Sequence, residues 1–285
     1  MLTHPFPNAF GLDINDLSIK VVQLRDVSFG RRSPSWQLTT ARGTRLPHGL
    51  VVNGELEQPE QVRKYIQHLL IGNGGSQKPI TSRWVVASLS DTRGFIKLIH
   101  IEKSPGDLID EDILYTAKKH IPFEEDAYYI DWQVMPDDAN PDTSRVLIGA
   151  VQKNISDMFT YLIESLGLGV VALELEPLAI ARAMITAEKV YGEEARAILE
   201  LGATRSSIII FDHGHVQFSR SLTFSGEILT TALSQKLHVS YEEAERQKIH
   251  RGLDFQNSVA WPVLAELVQG LVGEIKKTLA FYYSH

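Results

Sequence analysis

The chain has 285 residues, of which 28 are basic and 35 acidic, so its formal net charge is −7 at pH 7. Its 44% hydrophobic and 22% charged residues are typical of a globular protein and exclude a disordered chain, a collagen and a coiled coil. The acidic balance argues against nucleic-acid binding, and the absence of cysteine excludes disulfides, thiolate metal sites and a cysteine nucleophile.

No segment of the sequence has the pattern of a membrane span or a targeting signal. No apolar run reaches the ~18 residues that a membrane helix requires. Residues 1–10 contain neither Lys nor Arg and no hydrophobic core of the signal-peptide kind. We therefore expect a soluble, cytoplasmic protein of about two domains, at ~150 residues per domain.

The first part of the chain is predicted to contain four strands and a helix. Stretches rich in β-branched residues predict strands over residues 10–14, 18–24, 36–41 and 83–89. The turn Asn15-Asp16 joins the first two strands as a hairpin. Val62, Ile66 and Leu69 follow helical spacing, which predicts a helix over 58–70 that ends before the glycines of 72–75.

The middle of the chain has a different character and forms a compact α/β insertion. Its pattern predicts strands over 95–101, 128–134, 145–151 and 170–175, and helices over 154–166 and 176–190. Ser104-Pro105-Gly106-Asp107 has the composition of a helix start, so we expect a further helix from there to about residue 120.

The hairpin pattern of the first part begins again near residue 197. Strands are predicted over 197–201, 207–211 and 216–222, with helices over 229–237 and 258–283. In both hairpins a carboxylate, Asp13 or Glu200, lies near the end of the first strand, and a serine, Ser18 or Ser206, opens the second. Such a turn suits a metal-bound phosphate, because backbone N–H groups face the anion and the carboxylate holds Mg²⁺. Either residue alone would indicate only a turn, whereas the repeat favours two hairpins that clamp one polyphosphate.

Four segments, taken in order, resemble the PilM family of type IV pilus assembly proteins, which are actin-like and related to FtsA. They are residues 11–24, residues 118–123 with 130–132, residues 225–230 with 244–248, and residues 276–282. The resemblance implies an α/β, actin-like fold with a duplicated RNase H-like core and an FtsA-type inserted subdomain. The first core would cover 1–92 and 172–191, the inserted subdomain 93–171, and an incomplete second core 192–285. The chain ends before the glycine-rich adenosine loop of the family.

The resemblance also implies a set of site residues for ATP and Mg²⁺. The metal would be held at Asp13 and Glu200. The phosphates would be surrounded by Asn15, Asp16, Ser18 and Lys20 in the first hairpin and by Glu200, Gly202, Thr204 and Ser206 in the second. Gly226, Glu227, Glu245 and Lys248 would approach the sugar and the base. We expect weak Mg-ATP binding at most, without useful turnover, because Asp16 brings negative charge into the first turn and no residue is identified as catalytic.

In function, the resemblance implies a scaffold of a type IV pilus or a related type II secretion platform, peripheral to the inner membrane. Its partner would be the N-terminal cytoplasmic tail of a PilN-like inner-membrane protein, bound between the first core and the inserted subdomain, and other platform proteins or a second copy are further candidates. Two alternatives are a stand-alone sugar kinase or ATPase and an FtsA-like cell-division protein. The kinase would need a catalytic carboxylate and a sugar pocket, for which no motif is found.

Overall fold

The computed structural model describes residues 6, 8–28, 35–72, 74, 77–90, 92, 94–121, 127–135, 140–185, 194–252, 254–256 and 258–284. The chain divides into two compact units. Unit 1 comprises Met1–Glu194 and Asp212–Phe218, and unit 2 comprises Ala195–Phe211 and Ser219–His285.

Thirteen strands and seven helices follow one another along the described residues. Up to residue 101 they are β1 (Phe10–Asn15), β2 (Ser18–Asp26), β3 (Trp36–Arg45), β4 (Val51–Val52), β5 (Glu55–Leu56), α1 (Pro59–Ile71), β6 (Trp84–Leu89) and β7 (Gly94–Ile101). They continue with α2 (Asp110–Lys118), β8 (Tyr128–Met135), β9 (Ser144–Gln152), α3 (Lys153–Glu164), β10 (Gly169–Leu175) and α4 (Glu176–Met184). The last are β11 (Arg196–Leu201), β12 (Ser206–Asp212), β13 (His215–Leu222), α5 (Gly226–Leu237), α6 (Tyr241–Arg251) and α7 (Trp261–Ser284).

The main sheet of unit 1 has five strands in the order β10-β6-β1-β2-β3. β1 runs antiparallel to β2 and parallel to β6, and β6 runs parallel to β10. Because side chains alternate across a strand, the buried Leu12 and Val21 share one face, whereas the opposed pair Asp13 and Lys20 lies on the other. The hairpin therefore points its charged pair away from the core.

The inserted part of unit 1 is an antiparallel sheet, β7-β9-β8, covered by α2. Its core is a cluster of buried residues: Ile99, Ile101, Ile113, Ala117, Ile121, Tyr128, Val146, Ile148 and Ala150. Phe218, a residue of β13 that belongs to unit 1, pairs with Lys97 of β7.

Unit 2 begins with the antiparallel hairpin of β11 and β12, in which Glu200 lies opposite Ser207 and Leu201 opposite Ser206. Its helices α5, α6 and α7 pack around a second apolar cluster, which consists of Leu233, Ala244, Ala260 and Leu264. In the part of the chain that the structure describes, no helix is long and apolar enough to cross a membrane.

All eleven strands predicted from the sequence are present, with ends that differ by a few residues. Two predicted helices, α2 and α4, differ most from the observed bounds. α2 begins at Asp110, because Ser104 bonds Asp107 within a local turn and Ile109 has extended backbone. α4 ends at Met184, because Ile185 leaves the helical region with φ −104° and ψ 102°, and residues 186–190 of the predicted helix lie outside the described residues.

β10 begins at Gly169, so residues 169–171, assigned to the insert, belong to the main sheet. The other predicted domain bounds stay predictions.

Candidate functional site

Asp13 lies near the end of β1 and is held by three side chains. Its Oδ1 accepts a hydrogen bond of 2.7 Å from Ser88, and its Oδ2 accepts bonds of 2.8 Å from Asn15 and 3.1 Å from Lys20. The Lys20 side chain is 57% exposed, so its ammonium faces water even though it pairs with Asp13. The first hairpin thus brings together Asp13, Asn15 and Lys20, with Ser18 opposite Asn15 in the ladder. Ser88, 75 residues away in sequence, was not identified from the sequence.

Asp16, in the turn of the first hairpin, is bonded to backbone groups. It is only 7% exposed, and its carboxylate accepts hydrogen bonds from the backbone N–H groups of Asn53, at 3.2 Å, and Gly54, at 3.0 Å. Thr92 donates to the carbonyl oxygen of Asn53 at 3.0 Å. Asp16 therefore joins the first hairpin to the turn between β4 and β5.

The second hairpin also holds its carboxylate. Ser207 donates a 3.1 Å hydrogen bond to Glu200, so the serine that contacts the carboxylate is the neighbour of the expected Ser206. The hydroxyl of Ser206 is buried and has no hydrogen-bond partner among the described residues. The turn between these strands, which contains the half-buried Thr204, is closed by a 2.9 Å bond from the N–H of Gly202 to the carbonyl of Arg205.

The start of α5 lies directly on this turn. The N–H of Gly226 donates to the carbonyl of Gly202 at 3.0 Å, and the N–H of Glu227 donates to the carbonyl of Ala203 at 2.8 Å. A Cβ atom at residue 226 would lie 3.3 Å from the carbonyl oxygen of Ala203 and 3.4 Å from Nζ of Lys248. The close approach therefore favours glycine at residue 226.

Lys248 and Glu245, on neighbouring turns of α6, meet the start of α5. Nζ of Lys248 lies 2.7 Å from Glu245, 3.0 Å from the carbonyl oxygen of Gly226 and 2.8 Å from the hydroxyl of Thr230. Thr230 also hydrogen-bonds Glu245. The ammonium is largely buried, with 18% of the side chain exposed, so its position is fixed by these acceptors.

Tyr241 adds a phenol to this group. Burial raises the pKa of Tyr241 above its ordinary value, and the charges of Glu227 and Glu245 raise it further. The predicted residues Gly226, Glu227, Glu245 and Lys248 therefore form one cluster in unit 2, together with two residues to which the sequence analysis assigned no role.

The described residues contain no group of three or more His, Asp or Glu side chains placed to hold a metal ion. Asp13 and Glu200 lie in different hairpins, and neither belongs to such a group among the described residues. A magnesium ion carried by nucleotide phosphates needs only one or two protein carboxylates, because phosphate oxygens and waters supply its other ligands. The donor set is therefore compatible with Mg²⁺ bound to a nucleotide and does not indicate a resident metal.

A second feature of unit 1 is a cleft of about 580 Å³, which we call the insert cleft. One wall consists of the strands β6 and β10 of the main sheet together with helix α4. The other wall consists of β8, β9 and the start of α3. It is lined by Val86, Leu89, Tyr129, Ile130, Asp131, Gly149, Ala150, Val151, Ser156, Ala172, Leu173, Glu174, Leu175, Leu178 and Arg182. Most of these side chains are apolar, so the insert cleft suits an apolar ligand or peptide.

Polar groups lie along the rim of the insert cleft. Arg182 makes a double hydrogen bond to the carboxylate of Glu174. The hydroxyl of Tyr129 donates to Asp157 at 3.1 Å, and this hydrogen bond raises the pKa of Tyr129. An apolar floor with a polar rim is the usual anatomy of a protein-recognition surface.

The repeated hairpins and the mixed sheets define the class of the protein, which is actin-like. Over 99% of this chain and 79% of the other, the structure is similar to that of the PilM–PilN type IV pilus biogenesis complex, with a TM-score of 0.82 at 20% identity. It is also similar to the ethanolamine utilization protein EutJ from Carboxydothermus hydrogenoformans, with a TM-score of 0.56 at 13% identity over 98% of this chain and 74% of that one. These similarities confirm the predicted fold.

The chain belongs to the family of the type IV pilus assembly protein PilM, whose profile matches residues 11–285. A segment of 91 residues, 32% of the chain, is 33% identical to the cell division protein FtsA of Bacillus subtilis (strain 168). The matched segment spans 20% of the length of that relative. The family match confirms the resemblance and favours a pilus assembly protein over the kinase and cell-division alternatives.

Proposed function

We propose that the protein is a scaffold of the pilus platform that binds the N-terminal cytoplasmic tail of a PilN-like inner-membrane protein in the insert cleft. In this proposal it is cytoplasmic and reaches the inner membrane through that partner. The observation that carries the proposal is the apolar insert cleft between the main sheet and the insert, the position that the family resemblance implies for the tail. The similarity to a solved PilM–PilN complex supports it.

The strands that form the insert cleft are suited to hold an extended peptide. Among the described residues, β10 is the outer strand of the main sheet and β8 is the outer strand of the inserted sheet. Outer strands carry backbone N–H and C=O groups without a strand partner, and an extended peptide can pair with them. The apolar floor supplies burial for alternate side chains of the peptide, and the rim pairs accommodate its polar groups.

Calorimetry with a synthetic peptide of the tail of the PilN-like protein from the same organism tests this proposal. Ala172 is exposed and lines the insert cleft, so Ala172→Trp fills the insert cleft without disturbing a buried residue. We expect it to weaken peptide binding by at least about tenfold, which corresponds to ~1.4 kcal/mol. Ala41→Trp, at an exposed alanine of β3 in the same sheet, is the matched control and should leave the affinity unchanged. Equal binding by all three proteins would overturn the proposal.

We further propose that the protein binds Mg-ATP. The candidate contacts in unit 1 are Lys20, Ser18 and Asn15, beside the carboxylate of Asp13, and Asp16 in the same turn accepts hydrogen bonds from the backbone of Asn53 and Gly54. In unit 2 they are the turn around Glu200, Gly202, Thr204 and Ser206, and the cluster of Gly226, Glu227, Glu245 and Lys248. The exposed Lys20 ammonium and the buried Ser206 hydroxyl, which has no hydrogen-bond partner in the described part of the chain, support a fit to phosphate. When bound, the nucleotide supplies anionic oxygens and the Mg²⁺ that they carry. We expect weak binding and no useful turnover.

A further inference from the structure

Thr230, in the first turns of α5, has more polar contacts than a threonine in a helix requires. It is fully buried, and its hydroxyl lies 2.9 Å from the carbonyl oxygen of Gly226, one turn earlier. That single bond would satisfy the hydroxyl. The same oxygen also contacts the carboxylate of Glu245 and the ammonium of Lys248.

The chemistry of a hydroxyl determines which of these groups Thr230 can bond at one time. A threonine hydroxyl has one proton to donate and two lone pairs that accept. The proton is directed to Gly226 or Glu245, and one lone pair accepts from Lys248 at 2.8 Å. Thr230 therefore bridges α5 and α6 at the point where the carboxylate and the ammonium meet.

We infer that Thr230 is a positioning residue of the nucleotide site in unit 2, which holds Glu245 and Lys248 in the geometry that binds the nucleoside end of Mg-ATP. The inference rests on the proposed nucleotide binding. The Lys248 side chain is a flexible four-carbon chain, and loss of one of its three acceptors allows its ammonium to move. When the proton points to Glu245, its carboxylate loses a hydrogen bond in the same step.

Thr278 of α7 is a matched threonine without this role. It is 1% exposed, its hydroxyl donates to the carbonyl of Glu274 one turn earlier at 3.0 Å, and it lies 3.4 Å from Nη1 of Arg220. It thus has the burial, the backbone bond and the neighbouring cation of Thr230. Its cation is not among the expected nucleotide contacts, so Thr278→Val measures the cost of losing a buried helical hydroxyl alone.

The test is the dissociation constant for Mg-ATP, measured by calorimetry on the full chain. Thr230→Val keeps the shape of the side chain and removes the hydroxyl, and we expect it to weaken binding about tenfold, as for one hydrogen bond to a charged group. Thr230→Ser restores the hydroxyl and should bind within about twofold of the original protein. Thr278→Val should bind like the original protein. Thr230→Ala replaces the valine variant if that variant does not fold.

A double-variant measurement shows whether Thr230 acts through Lys248. If it does, Thr230→Val added to Lys248→Met weakens binding no further than Lys248→Met alone. The inference is overturned if Thr230→Val binds like the original protein, if Thr230→Ser loses as much as Thr230→Val, or if the losses of the two single variants add. Absence of Mg-ATP binding by the original protein would instead overturn the proposed nucleotide function, and the inference with it.

Discussion

The side chain of Leu175 lies directly against Gly94, so a Cβ atom at residue 94 would overlap with its Cδ2. Gly94 is the first residue of β7, and Leu175 is the last residue of β10 and lines the floor of the insert cleft. Because residue 94 has no side chain, the Leu175 side chain can pack against its backbone. The shape of the insert cleft depends on this pair.

Gly94→Ala should therefore change the shape of the insert cleft. The added methyl group displaces Leu175, and overpacking of this kind costs about 1–3 kcal/mol of unfolding free energy. We expect weaker binding of the tail peptide together with a lower denaturant midpoint. Gly106→Ala is the control, because a Cβ atom there would meet nothing within 4 Å. A Gly94→Ala protein with the stability and affinity of the original would contradict this account of the insert cleft.

Asp16 should contribute to stability, because its carboxylate accepts hydrogen bonds from the backbone N–H groups of Asn53 and Gly54. Asp16→Ala leaves two backbone N–H groups of the turn between β4 and β5 without their acceptor, so we expect a loss of about 1–3 kcal/mol in urea unfolding. Glu57→Gln, at an exposed residue of the same unit, should change little. If Asp16 instead faced the phosphates, its removal would tighten Mg-ATP binding without a loss of stability.

Lys20 is an exposed cation beside Asp13 in the first hairpin and should contribute to phosphate binding. Lys20→Ala removes one positive charge near the phosphates, and we expect Mg-ATP affinity to fall severalfold at low salt and less at high salt, where charges are screened. Lys64→Ala removes the same charge from an exposed position on α1. Equal losses in the two variants would indicate a general charge effect and would contradict a specific contact.

Glu274 should make the stability of unit 2 depend on pH in the acid range. A hydrogen bond from the side chain of Thr223 lowers the pKa of Glu274 below its ordinary value of 4.5, and the backbone N–H of Thr223 adds to this effect. Because the pKa is lower in the folded state, the carboxylate stabilises the fold above pH 4.5, and this contribution disappears as the pH falls through the folded-state pKa. Glu274→Gln should therefore lower stability near pH 7 and approach the original protein in acid. A constant difference at all pH values would contradict this assignment.

The strands of this fold could be predicted from the sequence because their alternating or continuous apolar residues are a local signal. The elements that were missed lack that signal. β4 and β5 have two residues each and are joined by the turn Asn53-Gly54, and in α6 Ala244 is the only residue classed as buried among those described. The start of α2 was placed too early because Ser104 and Asp107 form a turn with the composition of a helix cap.

The candidate sites were predictable only where their residues are neighbours in sequence. The turn residues around Asp13 and Glu200 could be recognised, since a carboxylate and hydroxyls follow one another there. Ser88 reaches Asp13 from a parallel strand, and Thr230 meets Lys248 from another helix, so both contacts depend on tertiary structure. The insert cleft is built from strands and helices far apart in the chain, and no local pattern indicates it.

Hydrogen exchange of the full chain with and without the tail peptide tests the central claim most directly. The account predicts that bound peptide slows exchange of backbone amides in β8 and β10, the outer strands at the insert cleft, because their N–H groups gain a partner. Amides of β3, the outer strand at the other edge of the main sheet, should exchange as before. Protection confined to β3 or to unit 2, with β8 and β10 unchanged, would contradict the claim that the insert cleft binds the partner.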